Sequence, residues 1–420
     1  MRVPVSLVNA FQTDFESVLG DFLLQNQLID GKDLLDNRRY LTRSIAPHVK
    51  AFSELFNRKE GNQTDGIDRE DYWADGNAKN KRLAYLLSFM PPNLFRVASV
   101  WAELHRLGFQ FPKVDGELRA LEFGAGVASG ACGVLAGEKF APIGLPASGS
   151  FALIEQSKAA LSLGADWLDF LAASYGQSYH SRGFHRRIEL NEAWLPRNAP
   201  SFHLMIMSFF LNESPLSPDE MVLEFIKMAE NHLEQEGLIL IVEPALKQQS
   251  RKLLLFRKAL IDKLKNSTSS LKILLPCLGE QACGALVKEE DWCHEEVDWM
   301  RPNYLRELDL LTGLDRRTLP FSYLVIQKTK KSLNELFTKF EGKDEERYRL
   351  VSPSKNLSKR TSEFFMCGQD GKRRSRFSPE NLEHPDRGEV LQNVKLHGES
   401  SLTQIDEAKL LPPEDSIKII

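Results

Sequence analysis

The spacing of apolar positions changes character twice along the chain. Near the amino end, Val8, Phe11, Phe15, Val18, Leu19, Phe22 and Leu23 recur at close to helical spacing. They predict a few short helices in a region spanning 1–79. Its last part, EGNQTDGIDREDYWADGNAK (60–79), is polar and rich in turn formers, which predicts a loop or hinge. A helical pattern resumes from Arg82 to Gly108, interrupted at Pro91 and Pro92. From Ala120 the texture shifts to apolar runs bounded by Gly, Pro and Asn: ALEFGAG (120–126), FALIEQ (151–156), FHLMIMSFFLNE (202–213), GLILIVEP (237–244), LKILLP (271–276) and FSYLVIQK (321–328). Helical stretches such as Ser157 to Ala173 and Pro218 to Gln235 lie between them. This alternation predicts an α/β domain over 80–330 with a mostly parallel sheet, and a short third strand near 188–190. The unbroken LMIM and LILIV runs fit strands covered on both faces. After Lys331 the chain turns polar, which predicts a small C-terminal module over 331–384 and a flexible tail over 385–420.

Composition narrows the class. At 420 residues the chain exceeds one domain of about 150 residues. Apolar residues at 42% and charged residues at 27% are ordinary for a globular chain, and no run of 18 apolar residues suggests a membrane span. A net charge of −4 does not mark a nucleic-acid binder in bulk. Locally the picture differs. Between Val351 and Arg376 seven basic residues (Lys355, Lys359, Arg360, Lys372, Arg373, Arg374, Arg376) face Glu363 and Asp370, a net of +5. Such a segment can neutralise phosphates, so Lys372, Arg373, Arg374 and Arg376 are candidate RNA contacts; a solvated linker face is the alternative. Five cysteines, an odd number, argue for a reducing compartment. The first turns hold Arg2 as their sole basic residue before Lys32, with Asp14, Glu16 and Asp21 among them. The expected compartment is the cytoplasm, or the mitochondrion for a processed organellar form.

The first strand runs into Glu122-Phe123-Gly124-Ala125-Gly126, then Ser129 and Gly130. Glycines at 124 and 126 allow a tight turn and close backbone approach to a ligand. The next strand ends in Glu155, where a carboxylate can grip a ribose diol. A solvated strand end is the alternative reading of Glu155.

The ordered set EFGAG, IE, FFLNE and VEP resembles the S-adenosylmethionine (SAM)-dependent methyltransferase fold. A narrower set adds YLLSFMPPNLFRVASVW (85–101), FLNE (210–213), VEP (242–244), PC-x5-C, DWCH (291–294), FSYLV (321–325) and C-x2-DG (367–371). From Tyr85 to Arg376 it is similar to the methyltransferase-like family of small-ribosomal-subunit proteins, known in mitochondrial ribosomes and in bacteria. The resemblance implies a Rossmann-like domain, SAM bound by Glu122, Gly124, Gly126 and Glu155, and the small ribosomal subunit and its rRNA as partner. The chain departs from the family's pattern at Phe89, which stands in place of a basic residue, and Gly133 and Gly137 interrupt the helix after the turn.

Cys277, Cys283, Cys293 and Cys367 form a second constellation. Spacings of C-x5-C-x9-C are too wide for a zinc ribbon, and a fourth thiolate from a distant segment suits a metal site between the insertion at 276–300 and a folded-over module. The resemblance implies a [4Fe–4S] cluster at these four positions; zinc is the alternative on chemistry alone. Cys132 reads as a core residue. A nucleophilic role for Cys277 is disfavoured, because Pro276-Cys277 follows the sixth strand rather than the fourth or fifth.

At the tip of the fourth strand, Asn212 can hydrogen-bond a base edge and Glu213 can take a proton, with Glu243 a further candidate; all three can equally be local caps. Two functions follow: a monomeric SAM-dependent rRNA methyltransferase carrying the cluster, or a ribosome-assembly factor that uses SAM and the cluster structurally. A small-molecule methyltransferase is disfavoured by the basic segment and the cysteines.

Overall fold

In the computed structural model the apolar runs of the middle of the chain pair into one eight-stranded sheet. The structure describes residues 1, 3–56, 78–188, 193–358, 361–378, 385–399 and 402–411. The strands are β1 (Leu118–Phe123), β2 (Ser148–Glu155), β3 (Ser178–His185), β4 (Phe202–Ser208), β5 (Leu233–Pro244), β6 (Leu271–Leu275), β7 (Glu295–Asp298) and β8 (Thr318–Lys328). Their order is β3-β2-β1-β4-β5-β8-β6, with β7 also paired to β8. The first five are parallel, and β8 runs antiparallel to β5, β6 and β7. An open sheet in the order 3-2-1-4-5 followed by a reversed strand is the Rossmann-like architecture of SAM-dependent methyltransferases, as the resemblance implies.

The third strand lies earlier than the sequence pattern indicates. SYHSRGFH is largely exposed, with Tyr179 its one buried apolar side chain, because an edge strand buries little. Of the segment expected there, 189 and 190 lie outside the described residues.

Helices cover both sheet faces. On one lie α6 (Met90–Arg106), α7 (Ser129–Phe140) and α8 (Lys158–Ser174), and on the other α9 (Pro218–His232) and α10 (Lys247–Leu264). Ahead of α6 come α1 (Val5–Gln12), α2 (Asp14–Gln25), α3 (Arg38–Tyr40), α4 (Ala46–Phe56) and α5 (Ala78–Ser88). Pro91 and Pro92 occupy the first turn of α6, where a missing N–H costs nothing. Gly133 and Gly137 have a packing reason. A Cβ at Gly133 would sit 2.6 Å from Val97 Cβ, and one at Gly137 2.6 Å from Trp101 Cβ, so both glycines let α7 lie tightly against α6. The amino-terminal helices share the core of the α/β domain: Phe15 and Phe22 pack edge-on to Trp167 of α8, at 6.0 and 5.0 Å between ring centroids. Part of the expected hinge, 60–77, lies outside the described residues.

The carboxyl-terminal region forms a second sheet of β9 (Tyr348–Leu350), β10 (Lys355–Asn356), β11 (Ser362–Gly368), β12 (Gly371–Phe377), β13 (Val390–Glu399) and β14 (Leu402–Leu410). The flexible tail expected from residue 385 is thereby corrected: β13 and β14 pair antiparallel and complete a core of Tyr348, Leu350, Phe364, Met366, Phe377, Leu391, Val394 and Ile405. Burying Leu391, Val394 and Ile405 offsets the entropy of ordering these strands. Residues 412–420 lie outside the described residues.

Candidate functional site

The turn after β1 needs left-handed backbone three times: Gly124 at φ 60°, Gly126 at φ 52° and Ala128 at φ 58°. At Gly124 a Cβ would lie 2.9 Å from the Phe210 ring, whereas the side of Gly126 faces open space. Glu122 is buried beneath the turn, where Gly130 N–H donates to Oε1 at 2.9 Å and Ala131 N–H to Oε2 at 2.8 Å. Its carboxyl therefore satisfies orphan amides at the start of α7. Burial pushes its pKa up to about 8, against those backbone bonds, and the charge of Glu155 adds to the rise. From the tip of β2, Glu155 accepts from Gly126 N–H at 2.9 Å and from Ser157 N–H at 2.8 Å. Glu122, Gly124, Gly126 and Glu155 thus share one end of the sheet. It is the carboxyl end beside the β1–β4 switch point, where open α/β sheets take their ligands.

The tips of β4 and β5 face each other beside this turn. Glu243, buried at the end of β5, accepts from Leu211 N–H at 2.7 Å, Phe210 N–H at 3.2 Å and Asn212 N–H at 3.3 Å. In the orientation that satisfies its neighbours, the Asn212 side-chain amide donates to Glu243 Oε2 at 2.9 Å and to the Phe209 carbonyl at 3.1 Å. Burial pushes the Glu243 pKa up to about 8. Glu213 is exposed on the same short turn, Leu211–Glu213. Asn212 and Glu243 are brought together, and Glu243 caps the β4 turn rather than the helix that follows it.

All four cysteines of the second constellation line one cavity of ≈ 60 Å³ between the insertion and the second sheet, which β9 closes into a barrel by pairing with both β11 and β13, together with Arg257, Arg349 and Lys372. None is in a disulfide, and Cys132 is buried elsewhere, within α7. Burial and the neighbouring cysteines push the thiols of Cys293 and Cys283 up, and that of Cys367 up to about 12. Thiols so placed hold their protons until a cation or cationic cluster offsets the thiolate charge. The donor set fits a soft metal centre in its chemistry. Among the described residues, no three or more His, Cys, Asp or Glu side chains form a group that could hold a metal ion.

The four basic candidates sit on β12, each with an acidic partner. Lys372 pairs with Asp291 of the insertion at 2.5 Å, and Arg373 pairs with Asp370. Arg374 and Arg376 share the single carboxylate of Glu363, at 2.5 and 2.9 Å.

Two arginines of α10 escaped the sequence reading. Arg257 donates to the carbonyls of Gln281 (3.0 Å) and Gly279 (2.7 Å), inside the Cys277–Cys283 loop. Arg251 Nη1 donates to the carbonyls of Ala285, Lys288 and Asp291. Backbone carbonyls carry no sequence signature, so only the fold could expose these clamps.

The protein-family model described as mitochondrial small ribosomal subunit Rsm22 matches residues 82–383. No curated protein matches the chain. Among solved structures, the plantazolicin methyltransferase BpumL in complex with SAH is similar at 10% identity and TM-score 0.33, covering 73% of this chain and 100% of its own. TrmN from Thermus thermophilus is similar at 15% identity and TM-score 0.29, covering 58% of this chain and 53% of its own. Among the described residues no helix is long and apolar enough to cross a membrane.

Proposed function

Because the chain belongs to the mitochondrial small ribosomal subunit Rsm22 family, we propose that it binds SAM at the carboxyl ends of β1 and β2 and methylates RNA of the small ribosomal subunit, in a mitochondrial particle as the family's description has it. The observation that carries the reading is the open side of Gly126 beside the Glu155 carboxylate. A ligand backbone can approach that turn without meeting a Cβ, and the carboxylate can exchange an amide partner for ribose hydroxyls. When bound, SAM supplies an electrophilic methyl group. Asn212 and Glu213 lie at the neighbouring strand tip, where they would position a base and accept its proton. A [4Fe–4S] cluster on Cys277, Cys283, Cys293 and Cys367 would tie the barrel to the insertion, and the cations Arg257, Arg349 and Lys372 would offset its negative charge. Zinc is the competing occupant of the same thiolates.

One observation favours a second reading, an assembly factor that binds SAM without turnover. The Asn212 amide is engaged by Glu243 and the Phe209 carbonyl rather than presented to a substrate. The deciding experiment incubates labelled SAM with small subunits from cells lacking the protein. Label in the rRNA that disappears with Asn212→Ala supports the enzyme. SAM binding and rescued assembly with no label leave the factor.

A further inference from the structure

The strands of the carboxyl-terminal barrel close on themselves. β9 pairs with both β11 and β13, so the ring runs β9-β11-β12-β14-β13 and back to β9. The β12–β14 pair is parallel, and the other pairs of the ring are antiparallel. Counted within the barrel, this is the order 1-2-3-5-4-1 with strands 3 and 5 parallel, the topology of an OB-fold. Such barrels take up oligonucleotides on the outer face of strands 2 and 3 and on the flanking loops. Here those strands are β11 and β12.

The side chains on that face suit the task. Along β11 and β12, Phe364, Met366 and Phe377 point into the barrel core. The register sets Phe365 opposite Arg374, Glu363 opposite Arg376 and Cys367 opposite Lys372 on the other face. Phe365 is 41% exposed, against 2% for Phe364 and 4% for Phe377. An aromatic ring 41% exposed, opposite Arg374 and with the Lys372 ammonium 5.1 Å from its centroid, has no role in the core. It offers a π-face on which any base can stack, and its cationic neighbours can meet phosphates. Charge follows the same strand: β12 reads GKRRSRF, four cations and no acid. Arg374 and Arg376 share one carboxylate, so the pair keeps a net positive charge.

We propose that the β11–β12 face is a single-stranded RNA site, with Phe365 as the stacking surface and Arg374 and Arg376 as the phosphate contacts. The choice of RNA over DNA rests on the ribosomal reading above; stacking and charge rest on the barrel alone. The strand that carries Phe365 also carries Cys367, so RNA held here lies beside the cysteine cavity.

The test uses the full chain and a fluorescein-labelled RNA of about 12 nucleotides and mixed sequence, read by anisotropy. Binding should be salt-dependent. Phe365→Ala and Phe365→Leu should each weaken it roughly tenfold, and Phe365→Trp should restore it. The double variant Arg374→Ala/Arg376→Ala should lower the slope of log affinity against log salt by about 1.4, two phosphate contacts on a single strand. Melting temperature and SAM affinity, measured on the same samples, should stay at wild-type values. Wild-type binding by both sets of variants overturns the site, as does tighter binding of a duplex or of single-stranded DNA of the same sequence. A protein that fails to bind SAM yet shows the Phe365 effect sinks the methyltransferase reading and leaves the barrel site standing.

Discussion

Arg349 of barrel strand β9 sets its guanidinium against the carboxylate of Glu103 in α6, with both side chains out of solvent. Arg106 closes on the same carboxylate with two bonds, of 2.7 and 2.8 Å, and Tyr323 of β8 donates no charge but meets Arg349 at 3.1 Å through its hydroxyl. One buried ionic knot therefore joins the α/β domain to the barrel. Removing one partner strands the other charge in the interior, at a cost of about 3–5 kcal/mol. Arg349→Met should lower stability by that order in urea unfolding at pH 7, and Glu103→Leu combined with Arg349→Met should cost less than the two single changes added together. The knot also sets an acid limit. Burial would raise the Glu103 pKa, but Arg106 and Arg349 overcome it and hold the group at about 2, below its ordinary 4.5. A depressed carboxylate stabilises the fold above pH 4.5 and loses that contribution as pH falls through 2. A flat stability profile between pH 5 and 2.5 would contradict the assignment.

Glu243 gives the opposite sign. Burial lifts its pKa to about 8 from 4.5, so the folded state holds the proton more tightly than the unfolded chain does. Its stabilising linkage is full below pH 4.5 and is lost as pH rises through 8. Glu243→Gln keeps an acceptor for the Leu211 amide while abolishing the titration. The variant should lose less stability than the wild type between pH 5 and 8 in parallel thermal melts. Equal slopes would show that Glu243 titrates as an ordinary carboxyl.

Much of this site was legible in the residues, for a physical reason. A strand that must end in a left-handed turn needs glycine there, so Gly124 and Gly126 are visible in the sequence. Cys367 joins Cys277, Cys283 and Cys293 at one cavity from far along the chain, a grouping that the family resemblance implies and residue type alone does not. What stayed hidden follows from weak patterning. In β3 only Tyr179 is a buried apolar residue, and β13 interleaves Val394 and Leu396 with Asn393, Lys395 and His397. The knot of Glu103 and Arg349 is invisible for another reason: partners so distant leave no local spacing to read.

Two glycines separate ligand binding from folding. The side of Gly126 is open, so Gly126→Ala meets no protein atom and costs only the strain of its φ of 52°, about 1–2 kcal/mol. If SAM lies against this turn, the added methyl group and the distorted loop should weaken SAM binding tenfold or more in calorimetry. At Gly130 a Cβ would lie 2.5 Å from Glu122 Oε1 and 2.7 Å from Ile206 Cγ2. Gly130→Ala should therefore act on the fold, costing about 1–3 kcal/mol through overpacking. Wild-type SAM affinity in Gly126→Ala would place the ligand elsewhere.

The cysteine cavity is tested by what the protein carries when purified without oxygen. Iron and sulfide in equal amounts, about four of each, with broad visible absorbance, are expected for a cubane cluster; one zinc and no colour would identify the competing metal. Cys367→Ser removes the one thiol that comes from the barrel, so it should lose the metal while leaving β1–β5 and SAM binding intact. Because Lys372–Asp291 and the Glu103–Arg349 knot still link barrel and domain, the variant should remain folded, with its lowest-temperature unfolding step moved down. Limited proteolysis should then release the barrel first, by cleavage near the 331–347 connection. Full metal content in Cys367→Ser would exclude the barrel thiol from the ligand set and, with it, the role of the metal as a clasp between the two folds.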